Sequence, residues 1–280
     1  MEGQPTTNDA TIRMLEEFSL NAWPALQQLH LNGWLLRFAD GFSRRANSVQ
    51  PLYPAAAGSD PETEIETKIE LCEGVYAARG LRPIFRITPV AQPGALDSVL
   101  ASRGYRREGE SIVLTRRLQT PDDRGLQPSG FDDEAPGANV MLCESLLREG
   151  EEWLKGVTEI RERPAKSIAV FRNILSGVLT RSCYVLLQSE ERAAACAMGV
   201  LQQNWVGILE VARGAEFRGR GYGRAALNLV EDWAAAYGTS GAYLACEATN
   251  RPALQMYHDA GYAEAYRYWY RVRLAPGERA

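Results

Sequence analysis

The stretch Arg218-Gly219-Arg220-Gly221-Tyr222-Gly223-Arg224 restricts the fold of this chain more than any other. Glycines at alternate positions remove the Cβ atoms that would hold a ligand away from the backbone. A strand-like run, Val206 to Val211, leads into the stretch. An amphipathic stripe of Ala226, Leu229, Val230, Trp233 and Tyr237 leads out of it and stops at Gly238. Strand, glycine turn and helix in that order expose the first-turn amides of the helix. They stand at the positive end of its dipole, beside Arg218, Arg220 and Arg224. This is an anion site suited to phosphate or pyrophosphate. It is not a P-loop, because no Lys-Ser/Thr pair follows Gly223. A dinucleotide fold would set its glycines near the start of alternating βα units. Here they follow three strand-like runs that read as an antiparallel meander, Ser182 to Gln188, Ala193 to Leu201 and Trp205 to Val211.

Further elements can be read on both sides. Asn8 to Leu20 predicts a helix, with Ile12, Leu15 and Phe18 on one face. Trp34 to Phe38 and Phe42 to Val49 read as strands around an Asp40-Gly41 turn. Asp60-Pro61 opens a helix with the stripe Ile65, Ile69, Cys72 and Tyr76. Pro83 to Thr88 and Ser111 to Arg116 read as strands, with a short helix, Gly94 to Arg103, between them. In the second half, Cys143, Leu146, Leu147, Gly150 and Leu154 share a helical face, as do Ile168, Phe171, Leu175 and Val178 after Pro164. Ala242 to Cys246 predicts a strand, Pro252 to Ala260 a helix, and Tyr262 to Leu274 a closing aromatic strand. Between Gln119 and Pro136 acids, prolines and glycines replace the apolar residues, which marks a boundary. The division that follows is a first domain over 1–120, a linker over 121–136 and a second domain over 137–280. Both halves run through a similar succession of elements, which suggests an internal duplication.

Composition narrows the setting. Of 280 residues 45% are hydrophobic, enough for a sizeable core, and the net charge of −4 disfavours nucleic acid or an anionic membrane as partner. Five scattered cysteines without a CxxC spacing and only two histidines offer no zinc ligand set, so no metal is expected. A polar N-terminus and free thiols fit a cytoplasmic protein.

Two motifs carry a family resemblance. Arg218, Gly221 and Gly223 match the Arg/Gln-x-x-Gly-x-Gly/Ala loop of the GCN5-related N-acetyltransferase superfamily. Asn250, Ala253, Tyr257, Gly261 and Tyr262 match its later Asn-x-x-Ala-x-x-x-Tyr-x-x-x-Gly-aromatic pattern. The match covers about Ala138 to Leu274. Gly33-Trp34-Leu35-Leu36-Arg37 and Arg44-Arg45-Ala46-Asn47-Ser48 resemble the N-terminal part of a two-domain bacterial subgroup, although this half lacks the glycine loop. The resemblance implies an α/β fold, a mixed and mostly antiparallel sheet flanked by helices and duplicated in tandem. It implies one active site, in the second half, with the first half a degenerate copy.

It also implies chemistry. Acetyl-coenzyme A would be the co-substrate, its pyrophosphate held by the amides of Gly219, Arg220, Gly221, Tyr222, Gly223 and Arg224, with Arg218, Arg220 or Arg224 adding charge. Backbone groups of Val211, Ala212 and Arg213 would hold the pantetheine arm and polarise the thioester carbonyl. Asn250 would contact the coenzyme or cap its helix. Tyr257, near the coenzyme, would donate a proton to the leaving thiolate. Glu210, taken as a carboxylate among apolar neighbours, or else Glu247 or water, would remove the proton of the attacking amine. Covalent catalysis by Cys246 lacks an activating histidine. Arg44, Arg45 and Asn47 are candidates for shaping the acceptor site. The acceptor would be a small-molecule or protein amine, and the protein a monomer or homodimer. The rival readings are a non-catalytic acyl-coenzyme A sensor and a transferase of other acyl groups.

Overall fold

The computed structural model describes residues 7–56, 61–119, 139–144 and 150–273. The expected linker, 121–136, lies outside them. The chain forms two compact units, one of residues 1–113, 246–251 and 264–280, the other of 114–245 and 252–263. No helix among the described residues is long and apolar enough to cross a membrane.

In the first unit α1 (Asp9–Ala22) precedes β1 (Gln27–Leu31), β2 (Trp34–Phe38) and β3 (Val49–Gln50). These are followed by α2 (Pro61–Ala77), β4 (Ile84–Ile87), α3 (Leu96–Ser102) and β5 (Arg106–Arg117). Asn8 caps α1, its Oδ1 accepting from the Thr11 amide at 2.9 Å. The β1–β2 hairpin turns on Asn32 and Gly33, both at positive φ (39° and 85°). β1 and β2 pair antiparallel, as do β2 and β3, whereas β3 and β4 are parallel. The last strand of the chain, β11 (Ala263–Val272), pairs antiparallel with β4 and completes this unit.

One face of that sheet is apolar. Trp34, Leu36, Phe38, Val49, Phe85 and Ile87 pack under Ile65, Ile69, Cys72 and Tyr76 of α2 and Leu96 and Leu100 of α3. The α2 stripe is the one expected. The opposite face is polar yet buried. Glu16 of α1 receives Arg86 Nε and Nη2 at 2.8 and 2.7 Å and the Tyr266 hydroxyl at 2.6 Å. Arg86 Cζ lies 3.4 Å from the centre of the Tyr268 ring. Arg37, also fully buried, donates to the carbonyls of Leu20, Trp23 and Arg45, and burial pushes its guanidinium down to about 10. The closing aromatic run therefore alternates as a pleated strand: Tyr266, Tyr268 and Tyr270 point inward and Arg267 outward.

In the second unit β6 (Asn139–Cys143) comes before α4 (Glu151–Ile160) and α5 (Ala165–Ser176). Next are β7 (Ser182–Ser189), β8 (Arg192–Gln202) and β9 (Trp205–Arg213), then α6 (Tyr222–Ala236), β10 (Gly241–Glu247) and α7 (Arg251–Asp259). The order is β6-β7-β8-β9-β10, antiparallel except for the parallel β9–β10 pair. The meander therefore stands as expected. Each unit has a strand, a long helix and a parallel return strand after a meander, β3–α2–β4 in one and β9–α6–β10 in the other. That shared topology, and not sequence identity, reveals the duplication.

Two local expectations give way. Cys143 lies on β6, paired with Tyr184, and not on a helical face. Phe42 to Val49 is no strand up to Ser48 and holds a 3₁₀ turn, Arg44–Ala46, because Asn47 organises it: its Oδ1 accepts the amides of Ala39 and Gly41 at 2.7 and 3.0 Å.

Glu16→Ala strands the buried Arg86 guanidinium, so the urea midpoint should fall by the equivalent of about 3–5 kcal/mol. A loss below about 1 kcal/mol, the ordinary scale of one hydrogen bond, would show that the pair carries no such burden.

Candidate functional site

β9 is built to end unpaired on one side. Its parallel register with β10 runs from Trp205↔Gly241 to Ile208↔Leu244 and stops there. Leu209 to Arg213 continue beyond the last pair. On its other side β9 keeps pairing with β8, through a break. Met198 faces Leu209, but Cys196 faces Ala212, so β9 carries an extra residue there. Such a bulge re-aims the strand and frees backbone groups. The extra length is taken up at Glu210, whose φ of 53° lies in the left-handed region. For a side chain without glycine's freedom that costs ~1–2 kcal/mol, so neighbouring structure must hold it.

The neighbours that hold it are two arginines. Glu210 Oε2 accepts from Arg163 Nη2 at 2.8 Å and lies 3.3 Å from Arg161 Nε, with only 10% of the side chain exposed. Arg161 Nη2 also donates to the carbonyl of Val211 at 3.2 Å. Both arginines come from the end of α4. Glu162 between them adopts φ 50°, and the Arg163 amide reaches back to the Thr158 carbonyl at 3.0 Å, a left-handed helix stop that sets residues 161 and 163 side by side. Pro164 then starts α5. The helix itself is anchored by Trp153, fully buried, whose indole N–H reaches the carbonyls of Val185 and Ala197 at 3.0 and 3.1 Å. Ala197 is the β8 residue opposite the bulge.

After Arg213 comes a 3₁₀ turn, Ala215–Phe217, and then the glycine loop. Gly219 and Gly221 take φ of 74° and 80°, which turns the chain into α6 with Gly221 as its N-cap. Among the described residues, the amides of Gly219, Gly221, Tyr222, Gly223 and Arg224 donate to no backbone or side-chain acceptor; the first bond of the helix is Ala225 to Gly221 at 3.0 Å. Arg218 and Arg220 are exposed, whereas Arg224 is half-buried and gives its Nε to Asn228 at 2.9 Å. The Tyr222 side chain is core, edge-on to Phe217 at 5.3 Å, so only its amide faces a ligand.

α7 borders this loop. A Cβ on Gly223 would sit 3.6 Å from the Met256 sulfur, in ordinary contact. Tyr257, the next residue, is buried and edge-on to Tyr262 at 5.9 Å. Tyr262 in turn donates to Glu231 of α6 at 2.7 Å, and Arg116 reaches the other oxygen of that carboxylate at 2.6 Å. Through this partly buried trio the turn that follows α7 is tied to α6. Burial pushes the Glu231 carboxyl up despite both partners.

A bulged strand end, a row of amides without acceptors at a helix start and two exposed arginines without an ion-pair partner among the described residues lie within residues 209–224. A family model described as probable histone acetyltransferase Rv0428c, C-terminal, matches residues 9–271.

The chain belongs to this family.

The uncharacterized N-acetyltransferase YobR of Bacillus subtilis is 25% identical over 268 residues, spanning 94% of this chain and 98% of YobR. The probable histone acetyltransferase Rv0428c of Mycobacterium tuberculosis is 35% identical over 127 residues, 42% of this chain and 38% of that protein's length. Among solved structures, a GCN5-related N-acetyltransferase from Kribbella flavida aligns at TM-score 0.64 and 15% identity over 94% and 96% of the two chains. A tandem protein of this superfamily from the clavulanic acid biosynthesis pathway aligns at 0.63 and 14%, over 94% and 89%. At such identities the structural likeness speaks for the fold, which is the expected one. Homologues and fold together support acyltransferase activity.

Glu210 is not set among apolar neighbours as expected; it is ion-paired. Glu247 is exposed at the end of β10, and its carbonyl accepts from the Asn250 amide at 2.9 Å just ahead of α7. Cys246 is a buried thiol pushed up to about 11 by burial, no nucleophile at neutral pH. Asn47 spends its side chain within its own turn, and Arg44 pairs with Glu108 at 2.7 Å. Sequence reading passed over Arg161 and Arg163. The signal was there in Arg161-Glu162-Arg163-Pro164, a charged helix end stopped by proline.

Because the folded pKa of Glu231 is raised above its ordinary value of 4.5, the native state binds more protons than the unfolded one between the two values. Stability should therefore fall as pH rises through that window. Glu231→Gln should flatten the slope in urea unfolding followed from pH 4 upward; an unchanged slope would assign it to other groups.

Proposed function

We propose that the protein transfers acetyl from acetyl-coenzyme A directly to a primary amine. The observation that carries this reading is the run of free amides at the start of α6, joined by a few residues to a β9 end that has left its neighbour. The donor supplies an activated thioester. The amides of Gly219, Gly221, Tyr222, Gly223 and Arg224, with the Arg218 and Arg220 side chains, suit its pyrophosphate. The backbone of Val211, Ala212 and Arg213, unpaired toward β10, suits the extended pantetheine arm and offers a donor where negative charge develops on the carbonyl. Tyr257 sits on the helix bordering the loop, as an acid for the departing sulfur would need to, and Asn250 precedes that helix.

For the acceptor, the relative named as a probable histone acetyltransferase favours a protein amine, and a small-molecule amine is the other class to test. Five buried cysteines, none in a disulfide, support a cytoplasmic setting.

Calorimetry with acetyl-coenzyme A, and thiol release in the presence of an amine panel including a lysine-rich peptide, test this reading. Wild type should bind the donor, and Arg218→Glu with Gly221→Asp should abolish binding; retained binding would remove the loop from the donor site. Tyr257→Phe should slow turnover about 10²-fold or more while leaving donor affinity within a few-fold. An unchanged rate would end the acid assignment.

A further inference from the structure

Glu210 combines features that a free general base does not need. It is nearly buried, it occupies a left-handed backbone conformation, and its Oε2 is shared by Arg163 and Arg161 at 2.8 and 3.3 Å. Arg161 also grips the carbonyl of the next residue, Val211. A second left-handed residue, Glu162, lies between the two arginines, so two strained backbone points are cross-linked by charge. The third group on Glu210 is Cys196 of β8, whose thiol donates to the Glu210 carbonyl at 3.3 Å and is pushed up to about 12 by burial first and by this carboxylate second. No titratable group of neutral range faces the carboxylate among these.

We propose that Arg161 and Arg163 are positioning residues: they clamp Glu210 and thereby fix the bulge that presents the Val211–Arg213 backbone to the acyl group, and Glu210 works in this clamp and not as the base. The assignment rests on the acyl-transfer reading for its catalytic consequence, while the clamp itself is a statement about the backbone. A proton acceptor must leave its partners to take the proton, and this carboxylate is tied to two cations that would then be left without their counter-charge. A clamp, by contrast, moves no proton: glutamine keeps an acceptor oxygen within reach of Arg163 and Arg161, so it loses the charge assistance but retains part of the hold.

The test uses the full chain, with the best amine from the panel. Arg161→Ala/Arg163→Ala should lower kcat about tenfold or more, since small displacements of a reacting backbone are costly, with donor dissociation changed less than threefold because the loop amides are separate. Arg161→Lys/Arg163→Lys should recover part of the loss. Glu210→Gln should stay within about tenfold of wild type and keep the acidic limb of kcat/KM where it was, whereas a base would show a loss of about 10²–10⁴-fold and a lost limb. Either that large loss in Glu210→Gln or wild-type kcat in the double alanine variant would overturn the proposal. Amide exchange over 209–213 reads the clamp without turnover: it should quicken about tenfold in the double alanine variant and by less in Glu210→Gln. If wild type acetylates no amine, the acyl-transfer reading fails and exchange alone decides; unchanged exchange would then overturn the clamp as well.

Discussion

The second unit depends on the point where β9 and β10 part, after Ile208↔Leu244. A parallel pair that continued to the end of both strands would spend every backbone group in that region on the sheet. Stopping the ladder leaves five residues of β9 with one side uncommitted, and the bulge against β8 turns that side outward. Buried backbone groups without partners are expensive, so such an end persists only if something outside the ladder holds it and if it is open to water or ligand. The turn after α4 provides the hold. A tryptophan anchors the helix opposite the bulge, the left-handed Glu162 aims two arginines, and these close on the one residue of β9 whose conformation is strained.

The same economy governs the glycine loop. Helix starts always leave amides without intrahelical partners, and most are closed by a side-chain cap. α6 has glycine as its N-cap and no side-chain cap, and Arg218 and Arg220 beside it form no ion pair among the described residues; Glu216 is paired with Arg192. The loop's own core contacts, Phe217 against Tyr222, lie behind it. Rigidity thus comes from apolar packing, and the polar groups stay available. Arg116–Glu231–Tyr262 ties the turn after α7 to α6, as Trp153 ties α4 to β7 and β8.

Much of this was legible because short-range chemistry produces it. The glycine loop, the meander, the α2 stripe and the alternation of the closing strand follow from turn residues and periodicity. What stayed hidden was produced at long range. The polarity of Glu210's surroundings depends on a turn 47 residues earlier in the chain. The 3₁₀ turn at Arg44–Ala46 hid behind strand-like residues because a single asparagine overrides their propensity. The β1–β2 hairpin carried a plain Asn32-Gly33 signal, but β1 is exposed along nearly its whole length and so has no hydrophobic alternation to announce it. Nor does a sequence reveal that its last strand pairs with β4, since pairing partners have no local mark.

Why only one of two similar units carries the loop can be argued from α2 and the sheet beside it. α2 begins with Pro61, which removes one of the very amides that α6 leaves free, and no alternation of glycines precedes it. The sheet face of that unit is filled as well: Glu16, Arg86 and three tyrosines occupy it with mutually satisfied charge, and β3 is two residues long, too short to run past its parallel partner. Every feature that makes β9 and α6 a site has a counterpart in β3 and α2 that is shortened, plugged or lacks a donor. The first unit keeps the topology because topology is what buries its core, and it has exchanged the open end of the strand for a buried ion pair. Duplication followed by such closure leaves a chain with two copies of the architecture and one candidate site.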